Sequence, residues 1–156
     1  MPEWGYSKTV IDPETTAKAS GRELRVSPKH AREVCKTVKN MRLDQAKEYL
    51  NLVIEKKKPV PYGRHKKKVG HRHGLHKPPS GRYPVKAAQK ILQILESAEA
   101  NAEFKGLDTE RLKIVHASAC PGMKIRKYKP RAFGRMTPYF ETLCHVELIL
   151  EQMEIT

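Results

Sequence analysis

The chain has few of the features that mark secreted, membrane-spanning or disulfide-stabilised proteins. Its three cysteines, Cys35, Cys120 and Cys144, are odd in number, and none belongs to a Cys-x-x-Cys motif. We therefore expect a reducing, cytosolic compartment. Residues 1–10 contain no apolar run, so we expect no secretory signal. No stretch reaches the roughly 18 consecutive apolar residues of a membrane span.

Acidic residues are missing from two long stretches. None occurs in residues 56–95 or 111–140, although the chain has 17 Asp and Glu. With 31 Lys and Arg the net charge is +14, which opposes compaction of the isolated chain and favours association with a polyanion. Hydrophobic residues make up 38% of the 156, enough for a core of roughly 90 to 110 residues. We therefore expect one domain with extensions.

Three segments have the apolar periodicity of helices. Ser27 and Pro28 open the first, Asp44 the second and Pro84 the third and longest, which should end before Gly106. Their apolar stripes follow helical spacing: Ala31, Val34, Cys35 and Val38; Ala46, Leu50, Val53 and Ile54; and Val85, Ala88, Leu92, Leu95, Ala98 and Ala102, widened by Ile91 and Ile94. The corner between the first two helices also occurs in helix–turn–helix DNA readers, an alternative that the sequence leaves open.

The remaining regular segments read as strands. Alternating polar and apolar residues predict strands at 23–26, 112–119 and 143–150. Residues 1–21 are polar and aperiodic, and we interpret them as an N-terminal extension. Its Trp4 and Tyr6 could pack on the domain or stack on a base. We predict a single domain over residues 22–156, of the α+β class, with three helices packed on a small antiparallel sheet and a long protruding β-hairpin.

Residues 56–83 form a basic insertion between the second and third helices. The segment contains four Pro, four Gly and four His and no acid, so it cannot bury enough apolar surface to fold alone. Phosphates would neutralise it, and we expect a polyanionic partner to order it. Its cations are Lys56, Lys57, Lys58, Arg64, Lys66, Lys67, Lys68, Arg72, Lys77 and Arg82.

The second acid-free stretch lies in the predicted hairpin, residues 111–151, whose tip is at about 124–137. Strands rise about 3.3 Å per residue, so an arm from 112 to 129 would be on the order of 50 Å long, longer than a small domain is wide. Its cations exceed what protection of an exposed edge requires: Lys124, Arg126, Lys127, Lys129, Arg131 and Arg135. Arginines together with the rings of Tyr128 and Phe133 suit phosphates and unpaired RNA bases.

The histidines of the insertion suggest two other chemistries. His65, His71, His73 and His76 lie close in sequence, but zinc sites usually include Cys or carboxylate ligands at regular spacing; we expect no metal and no other cofactor. A nuclease would use paired histidines as general acid and base. His71 and His73 lack an obvious orienting partner, so we expect no catalysis. An RNA-processing nuclease and a DNA-compacting protein are the alternatives to a structural RNA-binding protein.

Several segments resemble a known family, large-subunit ribosomal protein twenty-two (the universal L-twenty-two family). They are RVSPKHAREVCKTVKNMRLDQAKEYL at 25–50, KAAQKILQILESAEANAE at 86–103, MKIRKYKPRAFGRMTP at 123–138 and HVELILE at 145–151. The resemblance covers nearly all of residues 23–152, and the PRAxGR motif at 130–135 is its most specific part. The basic insertion, GRYPVKAA and MPEWGYS are similar to the archaeal and eukaryotic branch.

The resemblance implies a structural constituent of the large ribosomal subunit, located in the cytoplasm. Such a protein binds large-subunit rRNA through the cations of the insertion and the tip, contacts neighbouring ribosomal proteins and aids assembly. The resemblance also implies that the hairpin lines the polypeptide exit tunnel and meets the nascent polypeptide there. The tunnel-lining residues would be Lys129, Pro130, Arg131, Ala132, Phe133, Gly134 and Arg135. We expect neither membrane association nor a homo-oligomer.

Overall fold

The computed structural model describes residues 5–9 and 12–153. Its elements are β1 (Thr16–Leu24), α1 (Pro28–Val38), α2 (Leu43–Ile54), β2 (Val60–Pro61), β3 (Gly81–Arg82), α3 (Val85–Phe104), a 3-10 helix (Thr109–Arg111), β4 (Leu112–Ile125), β5 (Tyr128–Pro130), β6 (Met136–Pro138) and β7 (Glu141–Gln152). The class is α+β, as predicted. None of the helices in this part of the chain is long and apolar enough to cross a membrane.

The strand β7 is the centre of the main sheet, an antiparallel sheet in the order β1-β7-β4. Leu148 of β7 lies opposite Ala19 of β1 and Ala117 of β4. Because side chains alternate between the two faces of a strand, Val146 and Leu148 lie in the core with the helices and Glu147 on the other face. This alternation confirms the sequence interpretation of the second hairpin arm.

The helices cover one face of this sheet. α1 packs on β4, α3 packs on β1 and β7, and α2 packs on α3. The predicted stripe of α1 is fully confirmed, with Ala31, Val34, Cys35 and Val38 all buried. On α3 the buried stripe is centred on Ile91 and Leu95, whereas Val85 and Leu92 are only half-buried. α2 starts at Leu43, which places Asp44 in its first turn rather than at the cap.

β1 begins inside the segment that we predicted to be an extension. Ala17 is fully buried and Ala19 nearly so, so the prediction for residues 1–21 is wrong for residues 16–21, which belong to the sheet. The strand contains small residues and therefore shows no pattern of large apolar side chains. They are small because α3 packs close above them. A Cβ at Gly21 would lie 2.6 Å from Cδ1 of Ile94.

Residues 5–9 lie against the sheet face that the helices leave open. The backbone N–H and the hydroxyl of Ser7 both donate to Oε2 of Glu147, at 3.0 and 2.8 Å. Nζ of Lys18 lies 5.8 Å from the centre of the Tyr6 ring, so Tyr6 contacts the domain. Trp4, the other aromatic residue of this segment, lies outside the described residues.

The packing predicts where a truncation will be costly. Leu150 is fully buried at the centre of the sheet, and Leu150→Ala should lower the free energy of unfolding by about 2–5 kcal/mol because it leaves a cavity. Phe104 is 94% exposed at the end of α3, and Phe104→Ala should change that free energy by less than about 0.5 kcal/mol. Urea denaturation of both variants measures the difference. Equal losses would contradict the assignment of the core.

Candidate nucleic-acid interface

The hairpin is an antiparallel pairing in two parts, an inner ladder at the body and an outer one near the turn. β4 pairs with β7 from Leu112 to Ile125, and β5 pairs with β6 further out. The ladder ends in a turn in which the N–H of Arg131 donates to the carbonyl of Arg135 at 2.8 Å. All residues from 126 to 140 are exposed. The outer part of the hairpin is therefore open to solvent or to a binding partner.

Both neighbours of β7 lose register at the base of the hairpin. β1 has a bulge between Gly21 and Leu24, and β4 has one between Pro121 and Lys124; Leu24 and Pro121 both pair with Cys144. Bulges bend a strand and increase its twist. We therefore expect the hairpin to bend at this point.

His145 fills the space at this bend. Its Nδ1 accepts from the N–H of Glu23 at 3.2 Å, and its Nε2 lies 3.2 Å from Oε1 of the same residue. A Cβ at Gly122 would lie 2.9 Å from Nε2 of His145. Glycine is therefore required for β4 to pass this close to the imidazole.

The tip has the predicted cations on its surface, and several of them have defined contacts. Nε of Arg131 donates to Oγ1 of Thr137 at 3.1 Å, and Nζ of Lys129 lies 4.0 Å from the centre of the Tyr139 ring. Among the described residues, no carboxylate pairs with Lys124, Arg126 or Arg135. These three cations are therefore available to phosphates.

Exposed aromatic and methionine side chains lie between the cations. Tyr128 and Phe140 meet edge to face at 5.8 Å, and Phe133 is 97% exposed at the turn with a positive φ of 60°. Met136 is 70% exposed. Exposed apolar surface of this kind marks an interaction site, and aromatic rings among cations suit unpaired bases. The sequence indicated Tyr128 and Phe133, whereas Tyr139 and Phe140 were missed because only the folded hairpin brings them beside Lys129 and Tyr128.

The insertion, which we predict cannot fold alone, is attached to the body at both ends. Val60 and Tyr62 are buried in the core, and β2 and β3 pair through Val60 with Arg82 and Pro61 with Gly81. Ser80 is buried as well. Burial of Val60 and Tyr62 and the pairing of β2 with β3 fix the two ends of the insertion. The middle of the insertion is polar and mostly exposed.

The predicted cations of the insertion all lie on the surface. Each of the ten is exposed: Lys56, Lys57, Lys58, Arg64, Lys66, Lys67, Lys68, Arg72, Lys77 and Arg82. Two of them lie over aromatic rings, Lys58 over Tyr49 at 5.2 Å and Arg72 over Tyr83 at 5.5 Å. The structure thus places a second cationic surface on the body, separate in sequence from the hairpin tip.

The histidines of the insertion are not gathered into a metal site. His71, His73 and His76 are exposed, and His65 is half-buried. Within residues 5–9 and 12–153, no group of three or more His, Cys, Asp or Glu side chains is placed to hold a metal ion.

The carboxylate of Glu141 links the outer hairpin to the body. Glu141 accepts Nε and Nη2 of Arg25 at 3.2 and 3.0 Å and Nζ of Lys127 at 2.7 Å. The hydrogen bonds from Arg25 and then Lys127 lower the pKa of Glu141 to about 2. Glu141 is therefore charged throughout the physiological range.

Comparison with known proteins gives consistent results over nearly the whole chain. The family model for ribosomal protein L22p/L17e matches residues 19–151. The protein named large ribosomal subunit protein uL22 of Methanocaldococcus jannaschii is 53% identical over 145 residues, 93% of each chain. Its namesake from Methanopyrus kandleri is 54% identical over 152 residues, 96% of each chain. That of Ignicoccus hospitalis is 50% identical over 159 residues, covering 99% of this chain and all of the relative.

The contacts of Glu141 predict its titration. The folded pKa of about 2 lies below the ordinary value of 4.5, so its stabilising effect is present above about pH 4.5 and disappears as the pH falls towards 2. Arg25→Gln should raise the pKa of Glu141, because the largest cause of its depression is removed. NMR titration of the carboxyl group in both proteins measures the change. An unchanged pKa in the variant would contradict the described contact.

Proposed function

This chain belongs to the ribosomal protein L22p/L17e family, and we propose on that basis that it is a structural constituent of the large ribosomal subunit in the cytoplasm. Relatives at about 50% identity over nearly the full length have the name of a large-subunit protein. The family is one of structural proteins rather than enzymes. The chain therefore acts in translation by what it binds, not by a reaction that it catalyses.

The binding partner that we propose is large-subunit rRNA. One observation supports this most directly: both acid-free stretches present their cations on the surface while the folded body holds them in place. A cationic surface on a chain of net charge +14 matches a phosphate backbone. The residues proposed to contact rRNA are Lys56, Lys57, Lys58, Arg64, Lys66, Lys67, Lys68, Arg72, Lys77, Arg82, Lys124, Arg126, Lys127, Lys129, Arg131 and Arg135.

In line with the family resemblance, we propose that residues 129–135 line the polypeptide exit tunnel and face the nascent chain. The exposure of the turn and the outward position of Phe133 support this role. The body, which includes β1, would then contact neighbouring ribosomal proteins and aid subunit assembly.

Two alternatives make different predictions. A nuclease that uses His71 and His73 would cleave single-stranded RNA with a pH optimum near the imidazole pKa, and turnover equal to that of a His→Ala control would eliminate it. A DNA-compacting protein would prefer duplex DNA to rRNA. Neither alternative explains a body attached to an exposed 15-residue hairpin end, residues 126–140.

The tip arginines provide the test of the proposal. Substitution of Arg126, Arg131 and Arg135 by Ala should weaken binding to large-subunit rRNA and reduce the slope of log K against log salt by roughly 0.7–0.9 for each phosphate that is no longer neutralised. The body should remain folded, because all three side chains are exposed. Filter binding across a salt series, with circular dichroism as the folding check, measures both effects.

A matched control removes the same charge elsewhere. Lys39, Arg42 and Arg111 are exposed near the end of β4 remote from the turn, and their triple Ala variant should affect the salt slope much less. Equal slopes in the two triple variants would contradict a specific role for the tip. Tighter binding of the wild type to duplex DNA than to rRNA would contradict the rRNA proposal as a whole.

A further inference from the structure

Glu33 is a fully buried carboxylate on a helix whose charged neighbours are cations. Its Oε2 accepts the N–H of Gly63 at 3.0 Å, and its Oε1 accepts those of Arg64 and His65 at 3.3 and 3.2 Å. Nη1 of Arg32 lies 3.4 Å from Oε1. Thus one side chain of α1 binds three consecutive backbone N–H groups of the basic insertion.

These contacts explain how an acid can be buried there. A buried carboxylate is costly unless it is paired and hydrogen-bonded. Burial alone would raise the pKa of Glu33, but the backbone N–H groups of Gly63, His65 and Arg64, together with the charge of Arg32, lower it below its ordinary value. Glu33 is therefore an anion at neutral pH, and its contacts are charge-assisted.

Two neighbouring contacts fix the same stretch of backbone. Tyr62 is buried, and its hydroxyl lies 2.5 Å from Nδ1 of His30 on α1. A Cβ on Gly63 would lie 3.3 Å from Nζ of Lys36, so a larger residue would crowd that side chain. α1 therefore fixes the course of residues 63–65, while the N–H of Tyr62 donates to the carbonyl of Ser80 at 2.8 Å.

The insertion cations follow directly from this fixed point. Arg64 is within it, and Lys66, Lys67 and Lys68 come next along the chain, all exposed. The N–H of Val69 donates to the carbonyl of Lys66 at 3.1 Å, and Nη2 of Arg82 donates to that of Lys68 at 3.3 Å. The cations therefore start from a backbone that is already ordered.

We propose that Glu33 is a positioning residue for RNA binding, which holds residues 63–65 so that Arg64 and Lys66–68 are arranged before the RNA arrives. The inference rests on the proposed function, because it presupposes that the chain binds rRNA. Ordering a segment at the moment of binding reduces affinity. A segment ordered in advance by α1 avoids that loss, which gives an acid a role inside a cationic surface.

The sign of one mutational effect separates this role from simple electrostatics. Glu33→Gln removes a negative charge, and charge alone predicts tighter binding of the variant to RNA. The positioning role predicts weaker binding, since the amide nitrogen of Gln cannot accept the N–H group that Glu33 Oε2 accepts. Glu48→Gln on α2 is the matched control, because Glu48 is exposed and the charge change is identical.

The experiment measures binding of the full chain to deproteinised large-subunit rRNA from Methanocaldococcus jannaschii at fixed salt. Glu33→Gln should bind about fivefold or more weakly, which corresponds to the ordering of about one residue at binding. Glu33→Ala should bind more weakly still, because Gln retains one acceptor oxygen and rescues part of the effect. Glu48→Gln should bind as well as the wild type or slightly better.

A second measurement tests whether the loss of RNA affinity comes from loss of order at residues 63–65. Amide hydrogen exchange of the free Gln variant should accelerate at residues 63–65, while the core strands remain protected. If the Ala variant fails to fold, the Gln variant alone decides. Glu33→Gln binding as tightly as the wild type, or more tightly, overturns the inference and leaves the proposed function intact. A wild-type chain that binds no rRNA overturns both.

Discussion

The hydrogen-bond ladder of β7 connects the core of this protein to its exposed hairpin. At its C-terminal end β7 pairs on both sides, with β1 and β4, and Leu148 and Leu150 are buried beneath the helices. At its N-terminal end the same strand forms one arm of the hairpin, which starts at Glu141. The position of the tip therefore depends on the packing of the core, since β7 runs from the core into the base of the hairpin.

Three carboxylates hold the cationic segments of the chain on the body. The cationic segments repel one another, and little apolar surface is available to hold them on the body. Glu147 binds Ser7 of the N-terminal segment, Glu33 binds the insertion through Gly63 and its two successors, and Glu141 binds Lys127 of the hairpin. Each peripheral segment is thus attached to the body by an acid on α1 or β7.

Sequence reasoning succeeded where one physical signal dominated. Helical stripes such as that of Val34 and Val38 revealed the helices, and the absence of acids beside alternating strands revealed the hairpin. Residues 16–22 of β1 were missed because Ala17 and Gly21 are small for reasons of space beneath α3, which no hydrophobic pattern reports. Glu33 was missed because a periodicity search ignores acids, and its partners lie about 30 residues away in a segment that looks unstructured.

We propose that the body holds the base of the hairpin and that rRNA orders its outer part. Amide hydrogen exchange of the full chain, free and bound to large-subunit rRNA, tests this most directly. Leu148 and Leu150 should be protected in both states, whereas residues 126–140, all exposed in the structure, should become protected only when rRNA is bound. Exchange at residues 126–140 that is the same with and without rRNA would contradict the account.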